Sequence, residues 1–367
     1  MRAAVLTGVG GLDRLTVAEV PDPGPPGPGQ VRISLRAAAL NHLDLFVVDG
    51  LPGVEYQFPH IVGADGAGVI DATGPGVTRV KPGDRVMINP GVPDRTCEYC
   101  RAGEHSLCIK YKILGEHLPG TLCAAMLLPE PNVVAIPAVT PALSWTDAAA
   151  FSLVTLTAWR MVTTRARVKP GEWVLVWGIG GGVSLTALRI AKQLGARVIA
   201  TSSSDAKLVR ARELGADVTL NHARQDVPRE VRALTDKHGV DVVVENVGEA
   251  TWEKSIRVLA KGGRVVTCGG TTGPMLVTDV RRLFWGQYSI LGSTMGNDAE
   301  YAEVVAELAA GRLRPIVDRV FPFEQIRDAY AYLDRAEQLG KVAVEMPATA
   351  SARPESSRPV SAPPTPL

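Results

Sequence analysis

The spacing of apolar positions changes character twice along the chain. Up to about residue 141, short alternating or β-branched runs (VRISLRA, GAGVI, DRVMI, NVVAI) stand between Pro and Gly clusters, a rhythm that predicts a β-rich, loop-rich unit. At Ser144 the period becomes helical. SWTDAAAFSLVTLTAWRMVTTRA opens with an S-x-x-D capping box and continues with apolar residues at helix spacing, which predicts a long helix linking two domains. From Glu172 to about Gly292 buried-strand runs alternate with helical stretches: WVLVW, a helix through Ala191, RVIATS, DAKLVRARELGA, DVTL, DVVVENV, a helix through Leu259, GRVVTCG and YSILGS. That alternation predicts a parallel, doubly wound sheet. The elements that follow, AEYAEVVAELAAGRL, RPIVDRVFP, an amphipathic helix around Gln325 to Arg335 and KVAVEM, are too few to enclose a core and are expected to pack back on the N-terminal unit. Residues 347–367, rich in Pro, Ser and Ala and free of aromatics, read as a disordered tail.

Composition narrows the function classes. The 367 residues carry 39 Lys and Arg against 38 Asp and Glu, a formal net charge of +1 with both signs interspersed. No electrostatic footprint for nucleic acid or an anionic membrane results, so the expected partners are small molecules and copies of the chain itself. MRAAVLTGVG lacks a signal-peptide core, and no apolar run reaches membrane-spanning length, which points to the cytoplasm. Five cysteines, three of them within PDRTCEYCRAGEHSLC, suggest reduced thiols and a metal rather than a disulfide framework.

WVLVWGIGGGVSLTALRIAKQLGARVIATS reads as strand, glycine-rich turn, helix and strand, the context in which such a turn cradles a dinucleotide. Gly178, Gly180, Gly181 and Gly182, with Val183 opening the helix, let the backbone approach a pyrophosphate set against free helix N–H groups. Ser184 stands where the fingerprint often ends in glycine or alanine. An NAD site usually places Asp or Glu at the end of the second strand; here Ser202 occupies that position, Ser203 follows and Lys207 opens the next helix. Loss of the carboxylate relieves repulsion of a 2′-phosphate, while hydroxyls and a lysine can bind it, so NADP(H) is the expected cofactor. The serines also serve as helix caps, with Ser204 or Asp205 in that role, and Arg224 is read as a solvated surface residue.

The chain closely resembles the medium-chain dehydrogenase/reductase superfamily, in the branch of quinone oxidoreductases and zinc-loop alcohol dehydrogenase-like proteins. NHLDL, GADGAG, KPGDRV, the cysteine loop, the TAW ending at Trp159, GIGGGVS, DVVVENVG and GKVAVE carry the resemblance. It implies an α/β architecture, a GroES-like β-rich catalytic domain beside a Rossmann cofactor domain. The expected division is 1–154 for the catalytic domain, with a zinc-loop lobe at about 91–112, 155–296 for the cofactor domain and 297–346 for the segment completing the first. Where zinc-dependent relatives carry catalytic ligands, this chain has Asn41, Ala64 with Asp65, and Leu153, so no catalytic zinc is expected. The relatives' structural zinc motif falls here on Asp94, Cys97, Cys100 and Cys108, an acceptable tetrahedral set, with His105, water or no metal as alternatives.

Hydride transfer without a Lewis acid needs an acceptor already activated by conjugation, which favours quinones and α,β-unsaturated carbonyls. Alternatives are an activated aldehyde or ketone as acceptor, a zinc-type alcohol dehydrogenase or aldehyde reductase with an unusual ligand set, and an NADPH-binding protein without turnover. The resemblance places Asn41, His42, Asp44, Asp65 and Thr157 around the nicotinamide pocket. Asn41 is a candidate donor to a carbonyl or to the cofactor, or else a turn former; Tyr56 is a candidate proton donor or an aromatic wall; His42 and Lys341 match positions near cofactor phosphates. Asn246 and Val247, and Gly269 and Gly270, end strands at the side where ligands bind in open α/β sheets. The apolar edge run SILGST predicts a homodimer.

Overall fold

The computed structural model describes residues 1–347, so the tail expected over 347–367 lies, but for its first residue, outside the described residues. The N-terminal strands form a sheet in the order Val133–Ala135, Arg85–Ile88, Asp65–Thr73, Gln30–Leu40, Lys341–Glu345 and Val317–Pro322, with Ala125–Pro129 also on Gln30–Leu40. Along Gln30–Leu40 burial alternates as far as Leu35, where one face meets the core, and becomes continuous over Ala37, Ala38 and Ala39. Small side chains are needed there because the second face is covered too, by the Ala148, Ala149 and Phe151 cluster. The last strand, Lys341–Glu345, is inserted into this sheet antiparallel to Gln30–Leu40, pairing Val342 with Leu40.

The second sheet has the order Val218–Asn221, Arg197–Ser202, Trp173–Val176, Val240–Glu245, Leu259–Thr267, Ser289–Gly292, all parallel. Val174, Val176, Val242 and Val244 enter one apolar cluster and Leu175, Val243 and Ile199 another, so alternate residues serve opposite faces and both are covered by helices. This is the doubly wound parallel sheet that the alternation of runs predicts.

The linking segment differs from expectation. The Ser144 and Asp147 capping box forms, but the helix divides into Trp145–Ala149 and Ser152–Trp159 and ends in a π turn, Arg160–Arg165. The break at Ala150 and Phe151 frees the Leu153 N–H, which a continuous helix would consume, for Asp65. Short helices at His42–Asp49, Glu98–Arg101, Val227–Leu234 and Val280–Gly286 escaped the periodicity reading. No helix among the described residues is long and apolar enough to cross a membrane.

Candidate functional site

In the second sheet the strand order reverses between Trp173–Val176 and Val240–Glu245, and the loops leaving these strands open a crevice. The glycine-rich turn enters the helix Gly182–Gln193 with Gly178 at φ +61°, a left-handed conformation that favours glycine. A Cβ at Gly182 would stand 2.9 Å from Val154 Cγ1 and 3.1 Å from Lys341 Cδ. The turn is therefore packed against the linking helix and the last strand, and only a bare backbone fits. Ser184, the departure from the fingerprint, has a structural use: its hydroxyl donates to Trp177 O at 2.9 Å and accepts from Asn246 Nδ2 at 3.1 Å, tying the two sides of the crevice together.

At the end of the second strand, Ser202 is buried and its Oγ accepts from Ser204 N–H at 3.1 Å. Ser204 caps the helix Asp205–Glu213 by accepting from Lys207 N–H, as expected. The Lys207 ammonium donates to Ala336 O at 2.6 Å and lies close enough to Gly180 that a Cβ there would sit 2.9 Å from Nζ. Burial lowers its pKa. Arg224 pairs with Asp205.

A cavity of about 360 Å³ lies between the two sheets, within the usual range for small-molecule and cofactor sites. Of the residues singled out by sequence, Asn41, His42, Thr157, Gly178, Gly181, Gly182, Val183, Asn246, Val247, Gly269 and Lys341 line it. Gly180, Ser202, Ser203, Lys207 and Gly270 lie outside the lining, as does Tyr56. The Tyr56 ring packs on the first domain's core and against His60, with centroids 5.1 Å apart, so the structure does not bring this phenol to the cavity. Sequence reading singled out neither Met295 nor Cys268 as a site residue, yet both line the cavity. Burial pushes the Cys268 thiol up to about 12, which keeps it protonated at neutral pH.

The polar floor of the cavity comes from neighbouring strands of the first sheet. Register pairs Ala39 with Asp65 on one side and Leu40 with Val342 on the other, so Asp65, Asn41 and Lys341 fall in a row. Lys341 Nζ donates to Asp65 Oδ2 at 2.9 Å and to Asn41 Oδ1 at 2.5 Å. Asn41 Nδ2 donates to Asp65 Oδ2 at 3.1 Å and to Ala39 O at 3.4 Å, and Leu153 N–H donates to Asp65 Oδ1 at 3.0 Å. Both ends of the Asn41 amide are thus committed within the protein. Asp44 closes a capping box with Asn41, accepting its backbone N–H at 2.7 Å, and burial lifts the Asp44 carboxyl to about 7.

The second cluster lies in the lobe closed by the pairing of Gly91–Val92 with Lys112–Ile113. One ligand atom each from Asp94, Cys97, Cys100 and Cys108 lie within 4.8 Å of one another, the one such group of metal-ligating side chains among the described residues. A tetrahedral zinc with sulfur at about 2.3 Å needs ligand separations of about 3.8 Å, so the set fits after a small contraction. Asp94 Oδ1 accepts N–H from Cys97 and Thr96 at 3.0 and 2.8 Å, which holds its carboxyl well below the usual carboxylate range and ready as a ligand. His105 faces elsewhere, its Nε2 3.7 Å from Asp298. Sequence reasoning missed how the lobe is fastened: buried Arg160 bridges Glu104 of the lobe at 2.6 Å and Glu300 at 2.7 Å, and Arg95 reaches Asp298 at 2.6 Å.

Residues 27–138 match the alcohol dehydrogenase GroES-like domain family, and residues 182–310 match the zinc-binding dehydrogenase family. The chain is 33% identical to a zinc-type alcohol dehydrogenase-like protein of Schizosaccharomyces pombe, over 94% of this chain and 99% of that one. It is 33% identical to the acryloyl-coenzyme A reductase of Metallosphaera sedula, over 89% and 95%. A solved structure described as an NAD-dependent alcohol dehydrogenase superposes with a TM-score of 0.90 at 45% identity, covering 94% of this chain and 99% of that one.

Proposed function

We propose, for a chain that belongs to the zinc-type alcohol dehydrogenase family of medium-chain dehydrogenases and reductases, an oxidoreductase that reduces quinones or activated C=C bonds with NADPH and without catalytic zinc. One observation carries the reading. The cavity offers no three-ligand set for a Lewis-acid metal: Asn41 and Leu153 are not zinc donors of the usual kind, Ala64 has none, and the Asp65 oxygens are engaged by Lys341, Asn41 and Leu153 N–H. The acceptor must then bring its own activation, which a conjugated carbonyl does. The acryloyl-coenzyme A reductase among the relatives supports that substrate class.

When bound, the reduced nicotinamide supplies the hydride. The chain's own residues hold and shelter it: the first turn of Gly182–Gln193 offers N–H groups to the pyrophosphate, and Thr157, Asn246, Val247 and Gly269 wall the cavity. Ser202, Ser203 and Lys207, with no acidic residue at the strand end, favour the 2′-phosphate of NADPH. Asp94, Cys97, Cys100 and Cys108 hold a structural zinc. The chain works in the cytoplasm; it forms a homodimer, which the exposed Phe284 and Trp285 and the unpaired outer edge of Ser289–Gly292 support, and sedimentation at micromolar concentration tests this, a monomer speaking against it.

The purified protein should contain one zinc per chain and oxidise NADPH in preference to NADH with quinones and enones, while leaving simple alcohols untouched. Two zinc ions per chain, or alcohol oxidation abolished by a chelator, would instead support the alcohol dehydrogenase reading that the NAD-dependent structural neighbour favours. NADPH binding without consumption across these acceptors would make the chain a nucleotide-binding protein.

A further inference from the structure

Among the residues lining the cavity, Lys341 is the one lysine, and no arginine, aspartate or glutamate joins it. Its stem runs along the glycine turn at Gly182, and its ammonium ends between Asn41 and Asp65. An ammonium has three protons to donate. Two go to Asn41 Oδ1 and Asp65 Oδ2, and among the described residues no protein atom accepts the third. Lys341 is 3% exposed, Asn41 6% and Asp65 0%, so the cation is held where little water can screen it. Asp65 is not part of the lining; its hydrogen bonds from Leu153 N–H and Asn41 fix it as the group that anchors the lysine.

Resting on the reductase reading, we infer that Lys341 is the electrophilic catalytic residue of this site, its third N–H donating to the substrate's carbonyl oxygen. A hydride from the reduced nicotinamide arrives at the β-carbon with its electron pair. The C=C π pair then shifts toward the carbonyl carbon, and the C=O π pair moves onto oxygen. The Lys341 N–H meets the negative charge that develops there, and the α-carbon later takes a proton from solvent. A buried donor fixed by Asn41 and Asp65 and aimed at a developing oxyanion acts selectively on the transition state. Asn41 and Asp65 are positioning residues: with its amide committed at both ends, Asn41 acts on the substrate only through Lys341.

Lys341→Met, and the double variant Asp65→Asn/Lys341→Met that leaves no unpaired buried charge, test the assignment. With NADPH and 2-cyclohexenone, kcat should fall by about 10²- to 10³-fold in both, the range for loss of one oxyanion donor. The NADPH dissociation constant, read by fluorescence, should stay within about threefold of wild type. Bound 4-nitrophenol, whose phenolate is yellow, should ionise in the wild-type cavity and stay protonated in the variants. Unchanged kcat with NADPH binding weakened about tenfold or more would overturn the inference and give the ammonium to a cofactor phosphate. Recovery of kcat in the double variant would also overturn it, leaving the pair a structural tie, as would phenolate still favoured in both variants. A wild type inert toward every enone and quinone would bring down the reductase reading as well, a result distinct from these.

Discussion

The lobe at residues 91–112 and the cavity floor each gather polar groups at one point, and they do so by opposite means. In the lobe, three sulfurs and a carboxylate converge, and the sulfurs receive only weak contacts, such as Asp94 N–H to Cys108 Sγ at 3.2 Å. At the floor, a carboxylate, an amide and an ammonium satisfy one another so fully that Asp65 accepts from Lys341, Asn41 and Leu153 N–H together. The lobe has soft lone pairs to spend on a metal; the floor has spent its own on a tethered cation. Capacity for a metal is therefore read from uncommitted lone pairs, and a count of polar residues misses it.

The contrast can be broken from either side. The largest effect is expected at the lobe. Cys100→Ser should release its zinc and cost more than about 5 kcal/mol of stability, since a structural metal contributes its binding energy to folding; metal analysis and calorimetry read this. Asp94→Ala, which keeps three thiolates, should lower zinc content and the thermal midpoint more gently, with turnover retained in the folded fraction. Asp65→Ala should cost about 3–5 kcal/mol, because it leaves the Lys341 ammonium buried without its partner. Its zinc content should match wild type; zinc lost from this variant would mean that the two regions are not independent.

Asp44 sharpens the comparison through pH. Its folded-state value of about 7 lies above the ordinary aspartate value of about 3.9, so the folded protein keeps a proton that the unfolded chain releases. Its contribution is complete below about pH 4 and is lost as pH rises through 7. Asp44→Asn, which still offers the Asn41 N–H an oxygen, should flatten that slope and melt higher than wild type at pH 8 but not at pH 4. The smallest effect is at the second strand's end: Ser202→Asp should shift the ratio of NADPH to NADH efficiency toward NADH by about tenfold, roughly 1.4 kcal/mol. A ratio that stays put would remove Ser202 from the cofactor argument.

What could be read from sequence was what short range determines. The glycine turn, the Ser144 and Ser204 caps and the alternation of the second sheet depend on residues a few positions apart, and each is found as written. Asp94 is set with its three cysteines by the zinc motif of the relatives the chain resembles, and the structure brings the four ligand atoms within 4.8 Å of one another. Lys341 and Asp65 stand 276 residues apart, and nothing local to either announces the other; only strand register sets them side by side. The Arg160 clasp and the turning of Tyr56 onto the first domain's core are of the same kind, products of how packed units meet. Apolar periodicity could not reveal the division of the linking helix either, since the Leu153 N–H freed at the break is taken by a carboxylate on a distant strand.

The strand Lys341–Glu345 sits inside the first sheet, between Gln30–Leu40 and Val317–Pro322. Synthesis runs from the N-terminus, so this slot waits until nearly all of the described chain has left the ribosome. Until then Asn41 and Asp65 lack their cation and the neighbouring strand offers an unpaired edge, the kind of surface on which nascent chains misassociate. The chemistry of the cavity and the closure of the sheet thus arrive in a single late event, and the protein gains its reactive centre only when its exposed edge disappears.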